Sequence, residues 1–166
     1  MSDAGASGET GLLVRYLDQQ REHVLGILDG LGSAALRRPV LPSGWTCLGL
    51  VQHLRLDVER LWFRGVVAAE DIDLENGGKS AWRVGAEVPA GDVLESYRQE
   101  WHRANEIIAA TPLDAPPAYW PDMFGSFRMH SLRQIILHVI AETACHAGHL
   151  DAVRELTDGQ TWMVLD

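Results

Sequence analysis

Residues 131–159 read SLRQIILHVIAETACHAGHLDAVRELTDG and have the pattern of a long amphipathic helix. The stretch begins with Ser131, a favourable N-cap, and ends at Gly159, a favourable C-cap. Apolar residues recur between them at helical spacing and predict one buried stripe: Ile135, Val139, Val153 and Leu156. We expect the rest of the fold to be organised around this helix.

Two polar residues interrupt the apolar stripe. Glu142 and His146 fall where an ordinary core helix would carry Leu or Val, and His138 and His149 lie nearby on the same side. A carboxylate and an imidazole one turn apart on a buried face are costly unless they meet a partner. A bound metal ion is one such partner, because it favours an ionised Glu and a neutral His. The alternative is a hydrogen-bonded Glu–His pair with a structural role only.

Helix geometry limits which of these side chains could share one ion. His138 and His146 are two turns apart, about 12 Å along the helix axis. Because Zn–N bonds are only about 2 Å long, both rings can hardly reach the same metal. Three neighbouring pairs stay open: His138 with Glu142, Glu142 with His146, and His146 with His149. A third ligand must come from another part of the chain.

Amphipathic patterns predict three further helices: residues 10–31, 47–69 and 92–110. Thr46 is the expected N-cap of the second of these. Two longer connections, residues 70–90 and 111–130, contain Pro and Gly and lack periodicity. Four long helices joined in this way predict an all-α fold, an antiparallel four-helix bundle.

His53 is the only histidine of the second helix, at the edge of its buried stripe. A single His in such a position is usually a hydrogen-bonded core residue, but it is also the natural third ligand if the last helix supplies two. Asp57, one turn further on, could orient the His53 ring, although a surface carboxylate is the simpler interpretation.

Four other positions carry expectations. Trp82 and Arg83 lie in the first long connection, where an aromatic ring beside a guanidinium can hold an anionic substrate, and a surface anchor is the simpler interpretation. His23 stands among charged neighbours and is expected on the surface. Trp162 is expected to pack against the bundle.

Composition restricts the class of protein. The 166 residues are 46% hydrophobic and 22% charged, which predicts one globular domain over residues 1–166, with residues 1–9 as a loose tail. The formal net charge of −9 argues against nucleic acid and anionic membranes as partners. No apolar run approaches the roughly 20 residues of a membrane helix, and the first residues do not read as a signal peptide.

The two cysteines, Cys47 and Cys145, do not make a disulfide framework. We expect both to be small buried thiols, as in a protein of the reducing cytoplasm. Cys145 precedes His146, but successive helical residues point about 100° apart, so we do not expect Cys145 to be a nucleophile activated by His146.

Two segments together resemble the DinB-like superfamily of small metal-binding helical bundles. Residues 44–54, GWTCLGLVQHL, resemble the family's segment that carries one ligand histidine on the second helix. Residues 137–150, LHVIAETACHAGHL, resemble the family's closing helix, where two ligands lie four residues apart ahead of a small-residue pair. The resemblance extends in helix order over nearly the whole chain.

Carried over residue by residue, the resemblance implies a metal triad of His53, Glu142 and His146, with His138 and His149 as neighbours. Many members have His in place of Glu142. The His–Glu–His version is similar to the metal-binding domain of mycothiol-dependent maleylpyruvate isomerases and related thiol transferases. Because this chain ends at residue 166, without the second domain that helps to form that active site, isomerase activity on maleylpyruvate is not expected.

For function, the resemblance implies a metal-dependent transferase that activates a low-molecular-weight thiol, such as mycothiol or bacillithiol, for attack on a small electrophile. Zn suits the ligand set best, with Ni, Fe or Mn as alternatives. Three protein ligands leave a position open for the thiol, and metal coordination favours the thiolate. His149, one turn beyond His146, is a candidate proton acceptor in catalysis, with a partly buried structural histidine as the alternative.

Two other functions could use the same ligands. The open position could activate water and make a metal-dependent hydrolase. Alternatively, the metal could only join the second and last helices, in a non-catalytic, stress-related binding module. The expected partners are thus a small-molecule substrate and a thiol, and the sequence leaves a homodimer open.

Overall fold

The fold is built from helices joined by turns and irregular segments. The computed structural model describes residues 8–72 and 80–162, and no strand occurs in these two ranges. The helices, in chain order, are α1 (Glu9–Gly26), the short α2 (Ser33–Leu36), α3 (Cys47–His53), α4 (Ala90–Ala110) and α5 (Leu132–Asp158). A π-helical segment, Leu54–Val67, continues α3 without a break, and Asp122–Phe124 form a 3₁₀ turn. The predicted all-α class is confirmed.

Each long helix buries one face against its neighbours. Helix α1 packs against α5 and α4, while the π-helical segment packs against α4 and α5. The shared core takes fully buried side chains from every long element: Leu17, Leu48, Phe63, Ile108 and Ile135. No helix among the described residues combines the length and hydrophobicity needed to cross a bilayer.

Helix α5 has the two caps that the sequence predicts. The Ser131 hydroxyl accepts a hydrogen bond from the Gln134 backbone N–H (3.3 Å), and Gly159 takes the left-handed conformation (φ 75°). The predicted stripe is buried except for its last member. Leu156 is 64% exposed, because Val153 and Arg154 occupy the inward face at this end of the helix.

Helix α1 ends earlier than predicted, at Gly26 instead of residue 31. The chain turns after Gly26, and the Arg154 guanidinium donates to the carbonyls of Ile27 (2.6 Å) and Asp29 (2.7 Å). These bonds satisfy carbonyl oxygens that the end of a helix leaves without partners. At the other end, Glu9 is already helical, and residues 1–7 of the expected tail lie outside the described ranges.

His23 and Trp162 meet at the α1–α5 contact. The His23 ring stacks on Trp162 with ring centroids 5.0 Å apart, and its Nε2 lies 2.7 Å from the Asp151 carboxylate. The expectation that Trp162 packs against the helices is confirmed. His23, expected to be a solvated surface residue, is only 20% exposed, because Trp162 from the other end of the chain covers one side of its ring.

The second long helix changes geometry after His53. Its first part is α-helical and begins at the predicted N-cap, where Thr46 Oγ1 accepts from the Gly49 N–H (3.1 Å). The following 14 residues are π-helical, whereas π geometry usually occurs as single-turn bulges, often at functional sites. Ten of these 14 residues are buried, and Glu59 is among them.

Glu59 forms a buried ion pair with Arg21 of α1. Arg21 Nε and Nη2 each donate to one Glu59 carboxylate oxygen at 2.6 Å, and both side chains are fully buried. Arg21 Nη1 also donates to Asp18 and to Asn105 of α4, both at 2.8 Å. Burial by itself lowers the pKa of Arg21, but the Glu59 charge and hydrogen bonds outweigh it and the net shift is upward. The pair joins α1 to the π-helical segment, and the hydrogen bond to Asn105 joins α1 to α4.

Candidate functional site

Two of the predicted ligand histidines face each other between α3 and α5. His53 is the last residue of α3, and His146 lies in the middle of α5. Their ring centroids are 5.1 Å apart, with the planes near perpendicular (76°). Only 16% of the His53 side chain and 14% of the His146 side chain are exposed. The fold therefore places two mostly buried imidazoles from distant parts of the chain side by side.

Asp57 sets the orientation of the His53 ring. His53 Nδ1 lies 2.8 Å from Asp57 Oδ2, and the carboxylate is itself mostly buried (17% exposed). A carboxylate accepts from Nδ1–H and so selects the tautomer in which Nε2 carries a free lone pair. The simpler expectation, a surface carboxylate, is wrong at Asp57, because the helical turn after His53 brings the carboxylate to the ring.

One ring nitrogen of His146, Nδ1, is buried without a hydrogen-bond partner among the described residues. Burial, together with the charge of neighbouring His53, lowers the pKa of His146 to about 4, so the ring is neutral at physiological pH. A buried nitrogen without a partner is costly in an apolar core, and a neutral imidazole is the form that binds metals.

Glu142 lies beside His146, with its Oε2 3.8 Å from His146 Nε2. Its side chain is 43% exposed, so packing leaves its rotamer free to change. Within residues 8–72 and 80–162, no three His, Cys, Asp or Glu side chains converge closely enough to form a metal site. The structure brings together His53 and His146 and places Glu142 next to them, but it does not draw the three towards one point.

The donor chemistry nevertheless fits a divalent metal ion. Two imidazoles bound tetrahedrally to one Zn at about 2 Å have ring centroids about 5 Å apart. The 5.1 Å between the His53 and His146 centroids matches this spacing. The set would comprise two neutral nitrogens and one anionic oxygen, which suits Zn and related transition metals.

Trp82 covers the His53 ring, a contact that sequence reasoning did not find. The two rings stack at 4.2 Å with 19° between their planes, and Trp82 also lies 5.8 Å from the His146 ring. Trp82 is partly buried, so it is a wall of the site and not only a surface anchor. The sequence contains no local signal for this contact, because Trp82 lies in an irregular segment 29 residues after His53.

Two interactions hold the segment around Trp82 against helix α3: hydrogen bonds from Gln52 and a close approach at Gly49. The Gln52 side-chain amide donates to the carbonyls of Ala81 (2.8 Å) and Arg83 (3.1 Å). A Cβ added at Gly49 would lie 2.3 Å from the Trp82 carbonyl oxygen, so only glycine allows this close approach. Because α3 holds the backbone on both sides of Trp82, the indole is kept over the His53 ring.

A cavity of about 420 Å³ lies beside the site, on the side of Trp82. Its lining consists of Ser43, Gly44, Trp45, Trp82 and Arg83. Trp45 reaches towards α5, where its ring centroid is 6.3 Å from that of His149. His149 is exposed, and its ring lies 5.6 Å from His146. The His149 ring therefore lies near both His146 and Trp45, which is part of the cavity lining.

His138 packs among aromatic side chains. Its ring packs edge-on against Trp62 at 4.9 Å and lies 6.4 Å from Phe127. Burial lowers the pKa of His138, although the Glu142 charge opposes the shift. Of the pairs left open by helix spacing, only those that include His146 lie beside His53.

The two cysteines lie in different environments. Cys47 is buried, as expected, and burial raises the pKa of its thiol to about 11. Cys145 is exposed, so the prediction of two buried thiols is wrong for Cys145. It occupies the outer face of α5, which agrees with the expectation that it points away from His146.

Comparison with known protein families identifies one family. A family model described as mycothiol-S-transferase matches residues 12–159. No curated protein and no solved structure matches the chain significantly. The match spans α1 through α5 and confirms the resemblance carried by residues 44–54 and 137–150. The chain belongs to the mycothiol-S-transferase family.

Proposed function

We propose that the protein is a metal-dependent transferase that activates a low-molecular-weight thiol, similar to mycothiol or bacillithiol, for attack on a small electrophile. Its family supports the thiol as cosubstrate. The main support for a bound metal is the pair of facing imidazoles, His53 and His146, whose ring centroids are 5.1 Å apart. We further propose that the long helices form an antiparallel four-helix bundle and that the protein acts in the reducing cytoplasm.

His53, Glu142 and His146 would hold the ion, most suitably Zn. Support comes from the tautomer that Asp57 selects at His53 and from the buried, unpartnered nitrogen of His146. Glu142 would add the negative charge, since its half-exposed side chain can reorient towards the two rings. When bound, the metal would stabilise the thiolate form of the cosubstrate in its open coordination position.

The residues around the ligands would control access and protons. Trp82 and Trp45 would exclude water from one side of the site, which strengthens electrostatic interactions inside it. His149, whose ring lies 5.6 Å from that of His146, would accept the proton released by the thiol. Its exposed position would let that proton pass to solvent.

Metal analysis of two variants tests the ligand assignment. Elemental analysis of purified His146→Ala should find no bound metal, because one of three ligands is lost. His149→Ala should keep its metal and lose about a hundredfold in thiol transfer, the lower range for a general base. Equal loss of metal in both variants would refute the assignment.

Activity on a neutral electrophile such as chlorodinitrobenzene tests the reaction. A rate that depends on added mycothiol would support the transferase. A metal-dependent hydrolysis of ester substrates without any thiol would support a hydrolase instead. A tightly bound metal without either activity would indicate a structural metal that joins α3 and α5.

A further inference from the structure

The cavity beside the site combines two flat aromatic walls with one cation. Trp45 and Trp82 line it together with Arg83, the only charged residue among the described residues of the lining. The Arg83 guanidinium makes no ion pair with any other described residue, whereas the chain as a whole carries a net charge of −9. A guanidinium that lines the same cavity as two indoles suits a flat molecule that bears an anionic group.

The two walls are held in place before any ligand arrives. Gly44 takes a positive φ of 79° in a turn closed by its N–H to the Leu41 carbonyl (2.9 Å), and this turn directs Trp45. At the other wall, the Gln52 side-chain amide donates to the carbonyls on either side of Trp82. A binding surface made in advance loses little entropy when a ligand binds.

The cavity adjoins the reacting groups. Trp82, one of its walls, stacks on His53 at 4.2 Å, and Trp45, the other wall, lies 6.3 Å from His149. A molecule bound in the cavity would therefore lie next to side chains that contact the imidazoles, and it would also meet Arg83, which is exposed. This arrangement would direct the reactive atom inward and leave the anionic group at the rim.

We propose that this cavity is the subsite for the electrophile and that Arg83, with Trp45 and Trp82, selects planar substrates carrying a carboxylate or a similar anion. The proposal rests on the proposed thiol-transferase function and specifies its substrate class. Arg83 acts here as a specificity determinant, because it would contact the substrate at a distance from the reacting atom.

Direct binding of two matched probes tests this subsite. Naphthoate and its neutral amide, naphthamide, have the same rings and differ in charge. Isothermal titration calorimetry of the full chain measures both affinities. The protein is first treated with EDTA, so that the carboxylate cannot bind a metal ion. Circular dichroism checks that each protein sample is folded. Wild type should bind naphthoate more tightly than naphthamide, and added salt should reduce the difference.

Variants separate the contribution of charge from that of stacking. Arg83→Gln should weaken naphthoate binding about three- to tenfold, the range for a partly exposed charged hydrogen bond, and leave naphthamide unchanged. Arg83→Lys should keep part of the preference. Trp45→Leu should weaken both probes. Arg128→Gln, which removes an exposed guanidinium 5.4 Å from the Trp120 ring, is the matched control and should alter neither affinity.

Any one of three results would overturn the inference. Wild type binds the two probes equally, wild type binds neither probe, or Arg83→Gln leaves the naphthoate affinity unchanged. The thiol-transferase proposal can fail independently of the proposed substrate class. If the probes behave as expected but no mycothiol-dependent activity on chlorodinitrobenzene exists, the transferase function is wrong and the cavity still binds planar anions. If that activity exists and Arg83→Gln leaves the naphthoate affinity unchanged, only the substrate class is wrong.

Discussion

The close contact between Gly49 and the Trp82 backbone leads to a quantitative prediction for Gly49→Ala. An alanine Cβ would lie 2.3 Å from the Trp82 carbonyl oxygen and 3.1 Å from its carbonyl carbon. Both are backbone atoms, which cannot rotate away as a flexible side chain could. The segment carrying Trp82 must therefore move outward, or α3 must shift away from it.

The cost follows from the contacts that such a movement breaks. The two hydrogen bonds from Gln52, to Ala81 and Arg83, contribute about 1 kcal/mol each, less where they are exposed. The Trp82–His53 stack contributes about 0.5–1.5 kcal/mol. Alanine recovers about 1 kcal/mol, because it favours a helix more than glycine does. We expect a net loss of about 1–2 kcal/mol in the free energy of unfolding.

Urea unfolding of metal-free protein measures this loss, and Gly148→Ala is the matched control. Gly148 also lies inside a helix, but a Cβ there meets nothing within 4 Å. Gly148→Ala should therefore stabilise the protein by about 0.5–1 kcal/mol. If Gly49→Ala stabilises by the same amount, the close approach does not hold Trp82 and the reasoning is refuted.

Two further predictions concern the buried charges and the thiols. Arg21→Met should lower the free energy of unfolding by about 3–5 kcal/mol, because it leaves the Glu59 carboxylate buried without its cation. The double variant Arg21→Met with Glu59→Leu should regain most of this loss. Urea unfolding measures both variants, and an Arg21→Met variant as stable as the wild type would contradict the prediction. Iodoacetamide at mildly alkaline pH should modify exposed Cys145 in the native protein and leave Cys47 intact, since burial holds the pKa of Cys47 at about 11. Peptide mapping detects the modified residue, and labelling of Cys47 before unfolding would be the contrary outcome.

The features that the sequence predicts best depend on neighbours along the chain. The caps of α5, Ser131 and Gly159, and the N-cap Thr46 of α3 are local, because each acts on groups within one turn. The helical class follows from apolar periodicity in the same way. The resemblance in residues 44–54 and 137–150 likewise identified the family that the comparison confirms.

The features that sequence reading missed depend on residues far apart in the chain. The Arg21–Glu59 pair joins positions 38 residues apart and becomes buried only after α1 packs on the π-helical segment. The exposure of Cys145 likewise depends on which face of α5 the other helices cover. No local pattern carries this information, since a charged residue or a cysteine has the same neighbours in sequence whether it becomes buried or exposed.

The sequence by itself determined that the chain is helical, where α5 begins and ends, and which residue types could bind a metal. Spacing along α5 could not choose among its polar residues, because each candidate pair lies one turn apart. Only the tertiary structure placed His146 against His53 and packed His138 against Trp62. The physical reason is that a site between helices depends on how the helices pack, and packing is decided by burial summed over the whole chain.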